Sequence, residues 1–165
     1  MKHTATLDTS FWVNVQRVGL LPYVQRRFLL CYAPDVAAEM SHTLASGREF
    51  WRLARGGLLT QVAAQMDGVK DLGPGERAAI NLALEHPDWI LLIDDQKPYQ
   101  HAVQRGLRVL CSPVLVAALF SEGALDAARA MLALGRLAAL QTVSPHLLAA
   151  AVAHVGRSWK QRRGA

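Results

Sequence analysis

The sequence predicts one α/β domain built on a parallel sheet with helices on its faces. Two observations carry that expectation. Short apolar runs alternate with longer segments of helical periodicity from the first residues to beyond residue 110. The run Trp89-Ile90-Leu91-Leu92-Ile93 is continuously apolar between Pro87 and Pro98, as expected of a strand buried on both faces. A third observation points to one edge of the sheet. The run ends in two adjacent carboxylates, Asp94 and Asp95, and open α/β sheets bind ligands beyond the carboxyl ends of their strands.

The elements follow in order. Residues 4–7 alternate loosely and end at Asp8, which predicts a short first strand. Asp8-Thr9-Ser10 supplies helix-start chemistry, and Phe11, Trp12, Val15 and Val18 recur at near-helical spacing until Gly19. Pro22 opens a second helix through Arg27, and residues 28–32 form a second strand. Pro34 suits the first turn of a helix over 34–45. Residues 46–56 are amphipathic and arginine-rich, a short helix ending at Gly56-Gly57. Residues 58–64 fit either an edge strand or an irregular connection. Gly73-Pro74-Gly75 turns the chain into a helix over 75–86. After the strand at 89–93 come a helix over 98–105, closed by Gly106, and a strand over 108–111. Ser112-Pro113 begins a helix through Phe120, Gly123 separates it from another over 124–134, and Ser144-Pro145 begins an alanine-rich helix to about His154. Residues 1–156 are expected to form a single domain, with 157–165 a basic C-terminal tail.

Bulk properties narrow the setting. A chain of 165 residues, 52% apolar and 19% charged, has enough material for one substantial core. No apolar run approaches the ~18 residues of a membrane span, and the N-terminal residues lack the apolar region of a signal peptide. A cytoplasmic protein with no membrane partner is therefore expected. Cys31 and Cys111 are too few for a disulfide framework and lack metal-ligand spacing, so both read as buried free thiols in a reducing compartment. The six histidines are scattered without i, i+4 pairing, and His42, His101, His146 and His154 read as surface or partly buried residues. Trp12 and Trp51, spaced helically from apolar neighbours, read as core or interface anchors. The net charge of +5 permits a polyanionic partner, and much of the excess sits at Arg157, Lys160, Arg162 and Arg163.

Five carboxylates stand where a purely structural role is strained. Asp8 ends the first strand, and Asp94 and Asp95 end a later one. Right-handed crossovers can place these strand ends on one edge. Each has a bland explanation alone, since any of them can cap the helix that follows. Glu39 lies three residues from Val36 on the apolar stripe of its helix. Glu76 precedes Ala79, Ile80 and Ala83 by three, four and seven residues, on the buried face of its own. If such groups converge they repel, by about 4 kcal/mol for a pair ~4 Å apart at an effective dielectric near 20. Hard divalent ions answer that repulsion, and a set with no histidine or cysteine favours Mg²⁺ or Mn²⁺ over zinc. Such ions activate water and stabilise leaving oxygens in phosphoryl chemistry.

The ordered motifs Leu7-Asp8-Thr9-Ser10, Val36-Ala37-Ala38-Glu39-Met40, Gly75-Glu76-Arg77-Ala78-Ala79-Ile80-Asn81-Leu82-Ala83, Leu91-Leu92-Ile93-Asp94-Asp95 and Gly106-Leu107-Arg108-Val109 resemble the PIN-domain family. They are closest to its toxin-type ribonuclease branch, found in toxin–antitoxin pairs. The likeness runs from residue 5 to about 150. It implies a Rossmann-like α/β/α sandwich with a central parallel sheet and an acidic pocket that binds Mg²⁺ or Mn²⁺ and cleaves RNA. By matching motif, Asp8 and Asp95 would be the primary metal ligands and Glu76 a third, with Asp94 a further member of the metal set and Glu39 close by. Asp95, just beyond the strand, is preferred to Asp94 as the inward ligand, because side chains alternate along a strand. Asp8, Glu39, Glu76 and Asp95 are thus the expected catalytic set. Weaker nucleic-acid contacts are expected from Ser10 and from Arg48, Arg52 and Arg55, which share a helix face that could equally be solvated. The chain departs from the branch at Tyr99, where a basic residue is usual, and at Cys111-Ser112, where Gly-Thr often follows the strand. Neither departure removes a carboxylate.

Other aspartate chemistries fit less well. A haloacid-dehalogenase-type phosphotransferase would carry a second aspartate at position 10, which is serine. A P-loop or dinucleotide site would need a glycine-rich loop after the first strand. A receiver domain would need a lysine after its last strand. A PIN fold serving as an interaction module remains the alternative to an enzyme, and metal binding by the intact acids separates the two. The apolar helices over 113–154 exceed what one buried face requires, so a homodimer or an antitoxin segment is expected to cover them.

Overall fold

The computed structural model describes residues 2–164. The chain opens with β1 (His3–Leu7), α1 (Thr9–Arg17), α2 (Leu21–Arg27), β2 (Phe28–Tyr32), α3 (Pro34–Glu39), α4 (Ala45–Arg55) and β3 (Leu59–Gln61). It continues through α5 (Pro74–Glu85), β4 (Ile90–Leu92), α6 (Gln96–Gln104) and β5 (Val109–Leu110), and closes with α7 (Ser112–Ser121), α8 (Ala127–Leu140) and α9 (Pro145–Gly164). The strands form one sheet in the order β3-β2-β1-β4-β5, and every pairing is parallel. Helices flank this sheet in a Rossmann-like α/β/α arrangement, as the alternation of periods predicts.

The strand order fixes where chemistry can occur. The chain starts mid-sheet, moves outward through β2 to β3, then crosses back to β4 and β5 on the other side. The order therefore reverses between β1 and β4, and crevices in such sheets open at that point. Register pairs Leu7 with Leu92, and the Asp8 N–H donates to the Leu92 carbonyl at 2.9 Å. The residues that follow β1 and β4 are thus held side by side.

The core explains why this edge is rigid. Leu91, Leu92 and Ile93 have no exposed surface, so the central apolar run is buried as its composition predicts. Trp12 and Phe50 meet edge-on at 5.4 Å, Tyr32 meets Phe50 at 4.8 Å, and the Trp12 Nε1–H donates to the Ser46 carbonyl at 2.8 Å. Trp12 is a core anchor. Trp51 lies partly buried at the edge of the same cluster, donating from Nε1 to the Met40 carbonyl at 3.3 Å. The three C-terminal helices pack on one another through Leu115, Val116, Leu119, Leu134, Leu137 and Val155. That mutual packing absorbs much of their apolar excess.

Several boundaries differ from the sequence reading, each for a local reason. The helix expected over 34–45 stops at Glu39, and α4 starts afresh at Ala45. Ser41 Oγ accepts the Thr43 and Leu44 N–H groups at 3.1 and 3.2 Å, taking donors a continuing helix would need. Gly47 then packs directly on this turn, where a Cβ would lie 1.6 Å from the Ser41 carbonyl oxygen. The helix expected over 124–134 begins at Ala127 and runs to Leu140. Asp126 caps it by accepting the Arg129 N–H at 2.7 Å, and Gly135 does not interrupt it. Of residues 58–64 only Leu59–Gln61 pair as a strand. The expected end near His154 is also too early, because α9 continues to Gly164 and residues 157–164 extend it as helix. Among the described residues no helix is long and apolar enough to cross a membrane.

Candidate active site

Four acidic side chains meet the β1/β4 edge or the helices beside it, in two different kinds of surroundings. Asp8 follows β1 as the N-cap of α1. Its Oδ2 accepts from both the backbone N–H (2.9 Å) and the hydroxyl of Ser10. The side chain is 1% exposed, and burial pushes its carboxyl up to about 6 against the pull of the Ser10 bonds, with the charges of Asp95 and Glu76 adding to the rise. Asp95 caps α6 without a side-chain hydrogen bond to it and is half-buried. Its carboxyl is also raised, by burial first and then by Glu76 and Asp94. Glu76 lies in the first turn of α5 and reaches back to accept the Gly73 N–H at 2.8 Å. Asp8, Glu76 and Asp95 therefore feel one another's charge across the crevice.

Asp94 is one residue from Asp95 and stands in different company. Its Oδ1 accepts the Ser112 backbone N–H at 2.6 Å, and its Oδ2 accepts the Ser112 hydroxyl and the Asn14 amide, both at 2.7 Å. Asn14 is steadied in turn by the Thr142 hydroxyl at 3.0 Å. Burial raises the Asp94 carboxyl while the Ser112 and Asn14 bonds hold it down. Both oxygens are committed, so Asp94 ties β4 to α1 and to the start of α7. Its backbone N–H donates to Ser10 Oγ at 3.3 Å, which links this knot to the residue that orients Asp8.

Glu39 is exposed and bridges three helices instead of joining the crevice charges. Its carboxylate accepts the Thr9 hydroxyl and, at 2.9 Å, the Gly75 N–H in the first turn of α5. An anion suits that helix end. The close approach requires glycine, since a Cβ at residue 75 would lie 2.6 Å from both Glu39 oxygens. Glu39 is not among the charges that raise Asp8 or Asp95.

The arginines of α4 are drawn elsewhere. Arg52 forms a two-pronged bond to Glu49 at 2.8 and 2.7 Å, and Arg48 donates to the Thr43 carbonyl at 2.8 Å. Arg52 and Arg55 lie in the last turn of α4, which leads into the N-terminal end of β3, whereas the carboxylates stand beyond C-terminal strand ends. Cys31 and Cys111 are free and buried, and burial pushes the Cys111 thiol up to about 12. Neither is poised as a nucleophile. Asn14 and Ser112 are the contributors that sequence reasoning missed. Asn14 carried a signal, being a polar residue on the Phe11-Val15-Val18 stripe of α1.

The chemistry of the donor set suits a hard cation: Asp8, Glu76 and Asp95 offer only oxygen, and their mutual repulsion is what a positive charge relieves. Among the described residues, no three His, Cys, Asp or Glu side chains stand close enough together to hold a metal ion. A magnesium site does not need three, because that ion commonly keeps several waters and takes one or two carboxylates plus substrate phosphate.

An acid-lined crevice at the reversal point of a five-stranded parallel sheet defines the class, an α/β protein with its site beyond the strand ends. The family model for DUF3368, a PIN domain, matches residues 4–156, and the chain belongs to the PIN-domain family, a family of nucleases. The chain is similar to the solved structure of the PIN domain endonuclease Utp24, at 15% identity and a TM-score of 0.48, covering 66% of this chain and 84% of that one. No curated protein sequence matches it significantly.

Proposed function

We propose that the protein is an endoribonuclease dependent on Mg²⁺ or Mn²⁺ that hydrolyses RNA phosphodiester bonds, acting as the toxin of a toxin–antitoxin pair in the cytoplasm. The observation that carries this is the gathering of Asp8, Glu76 and Asp95 at the reversal point, where burial first and then the charges of Asp95 and Glu76 raise the Asp8 carboxyl. Asp8 and Glu76 also cap helices, but capping does not need three acids to face one crevice, where their repulsion works against the folded state. A divalent ion held by one or two of Asp8, Glu76 and Asp95, with water and substrate phosphate completing its shell, would supply charge for the phosphate and acidify a bound water.

This chain's residues do the positioning. Ser10 fixes the Asp8 carboxylate through two bonds to one oxygen, Oδ2. Asp95 stands at the mouth of α6, its backbone carbonyl accepting the Tyr99 N–H at 3.0 Å and its side chain making no cap bond to the helix. Asp94 leaves the ligand set in this proposal and positions the edge instead, and Glu39 holds α5, hence Glu76, in register with α1. The antitoxin would cover surface beside the crevice. A second reading, a catalytically weak PIN fold used as an interaction module, draws on the same commitment of Asp94 and Glu39 to hydrogen bonds.

The test is cleavage of RNA by purified protein with Mn²⁺ or Mg²⁺, abolished by EDTA. Cleavage that survives in Asp8→Asn and Asp95→Asn would refute the site. Calorimetry with no Mn²⁺ binding at millimolar concentration would favour the interaction module.

A further inference from the structure

Beside the crevice, beyond the ends of β2 and β3, lies a cavity of about 300 Å³ that the proposed cleavage chemistry leaves unused. Asp35 contributes to it from the first turn of α3, Ala64, Met66 and Asp67 from the loop after β3, and Arg77 and Asn81 from α5. Arg77 and Asn81 are four residues apart, so they stack on one helix face. Arg77 directly follows Glu76, about 100° further round the helix. The helix that offers a carboxylate to the crevice thus offers a guanidinium to the cavity.

Two details mark the cavity as a built site. The Nε of Arg77 is buried and has no hydrogen-bond partner. A buried charged donor without an acceptor is costly, so the Arg77 guanidinium lines the cavity with bonding capacity the fold has not used. The loop wall is also anchored. The Gly68 N–H donates to Asn81 Oδ1 at 3.2 Å, and the Gln65 and Met66 N–H groups both donate to Glu85. The cavity is held open by bonds to α5 itself.

Its lining decides the ligand chemistry. A phosphate would meet the carboxylates of Asp35 and Asp67, and a simple cation would meet Arg77. A flat group bearing acceptors on one edge and donors on another meets neither conflict, and Ala64 and Met66 supply apolar wall for its faces. Guanine fits this description best. Its O6 and N7 accept from a guanidinium, and its adjacent N1–H and N2–H groups match the two oxygens of a carboxylate. The volume lies at the lower end of small-ligand pockets, about 300 Å³, which suits a single base.

We propose that this cavity is a nucleobase subsite that takes a guanine of the RNA strand crossing the crevice and so sets the sequence preference of cleavage. The inference rests on the ribonuclease reading above. Its test is separable, because it measures binding with EDTA present and no cleavage. Isothermal titration with GMP, AMP, CMP, UMP and inorganic phosphate should show GMP bound about tenfold or more tightly than the rest. Arg77→Met should weaken GMP about tenfold, and Asp35→Asn should do the same should the first variant fold poorly. Arg105→Met, exposed at the end of α6 beside the opposite edge strand β5, should change nothing. Equal affinity for the four nucleotides, no GMP binding, or phosphate competing as well as GMP would overturn the subsite. Cleavage of RNA without GMP binding sinks this inference alone, and GMP binding without cleavage sinks the nuclease reading alone.

Discussion

Asp94 and Asp95 are neighbours in the chain and opposites in the fold. Asp94 is buried with every oxygen engaged, by Asn14 and by the backbone and hydroxyl of Ser112. Asp95, with Asp8 and Glu76, shares a crevice in which negative charges face one another and few donors answer them. In the first region the cost of burying a carboxylate is offset locally, and the result is structure. In the second it is left open, and the unanswered negative charge is what a cation can use.

That contrast can be broken at four points. The largest effect belongs to Asp94→Ala, which strands three buried donors at ~1–3 kcal/mol each. Urea denaturation should show a loss of about 3 kcal/mol or more, while Asp95→Ala should leave stability within about 0.5 kcal/mol and abolish cleavage. Equal destabilisation by the two variants would erase the distinction.

Asp8 gives the next effect, with a definite sign. Burial pushes its folded carboxyl up to about 6 from an ordinary 3.8, so the folded state binds the proton more tightly. The metal-free protein should therefore lose stability as pH rises from about 4 through 6, by ~3 kcal/mol at most. Asp8→Asn keeps a good N-cap and should remove this slope, leaving the variant the more stable at pH 7. Melting curves across that range, in EDTA, decide the point. A wild-type stability that rises with pH there would contradict it.

Gly75→Ala comes third. The new methyl would strike Glu39 at 2.6 Å, and overpacking of this kind costs ~1–3 kcal/mol. Glu39→Ala in the same background should recover part of the loss by removing the obstacle, which a double-mutant cycle would read. Smallest is Thr142→Val, which deletes the bond that steadies Asn14 and should cost about 1 kcal/mol by thermal melting.

Much of this fold was legible because it is written in local periodicity. The apolar run ending at Ile93, the cap at Asp8 and the Pro34 and Pro74 helix starts all act within a turn or two of chain. The misplaced boundaries have the same physical root, a local competitor that propensity does not weigh. Ser41 diverts the backbone donors after Glu39, and Asp126 shifts a helix start by three residues. The acidic motif could be read as a set, but its division of labour could not. Whether Asp94 or Asp95 is hydrogen-bonded depends on Asn14 and Ser112, 80 residues before Asp94 and 18 after it. The Arg77 cavity was likewise invisible, since it forms only where the loop after β3 folds back onto α5.

The Thr142 to Asn14 bond spans 128 residues of chain. A ribosome translating this message releases the first strand and its helix long before it reaches α7. Until Ser112 and Thr142 emerge, the Asp94 knot has no donors from that side and the edge that aligns Asp8 with Asp95 is unfinished. The acidic edge near the start of the chain is therefore completed only when nearly all of the protein has been made.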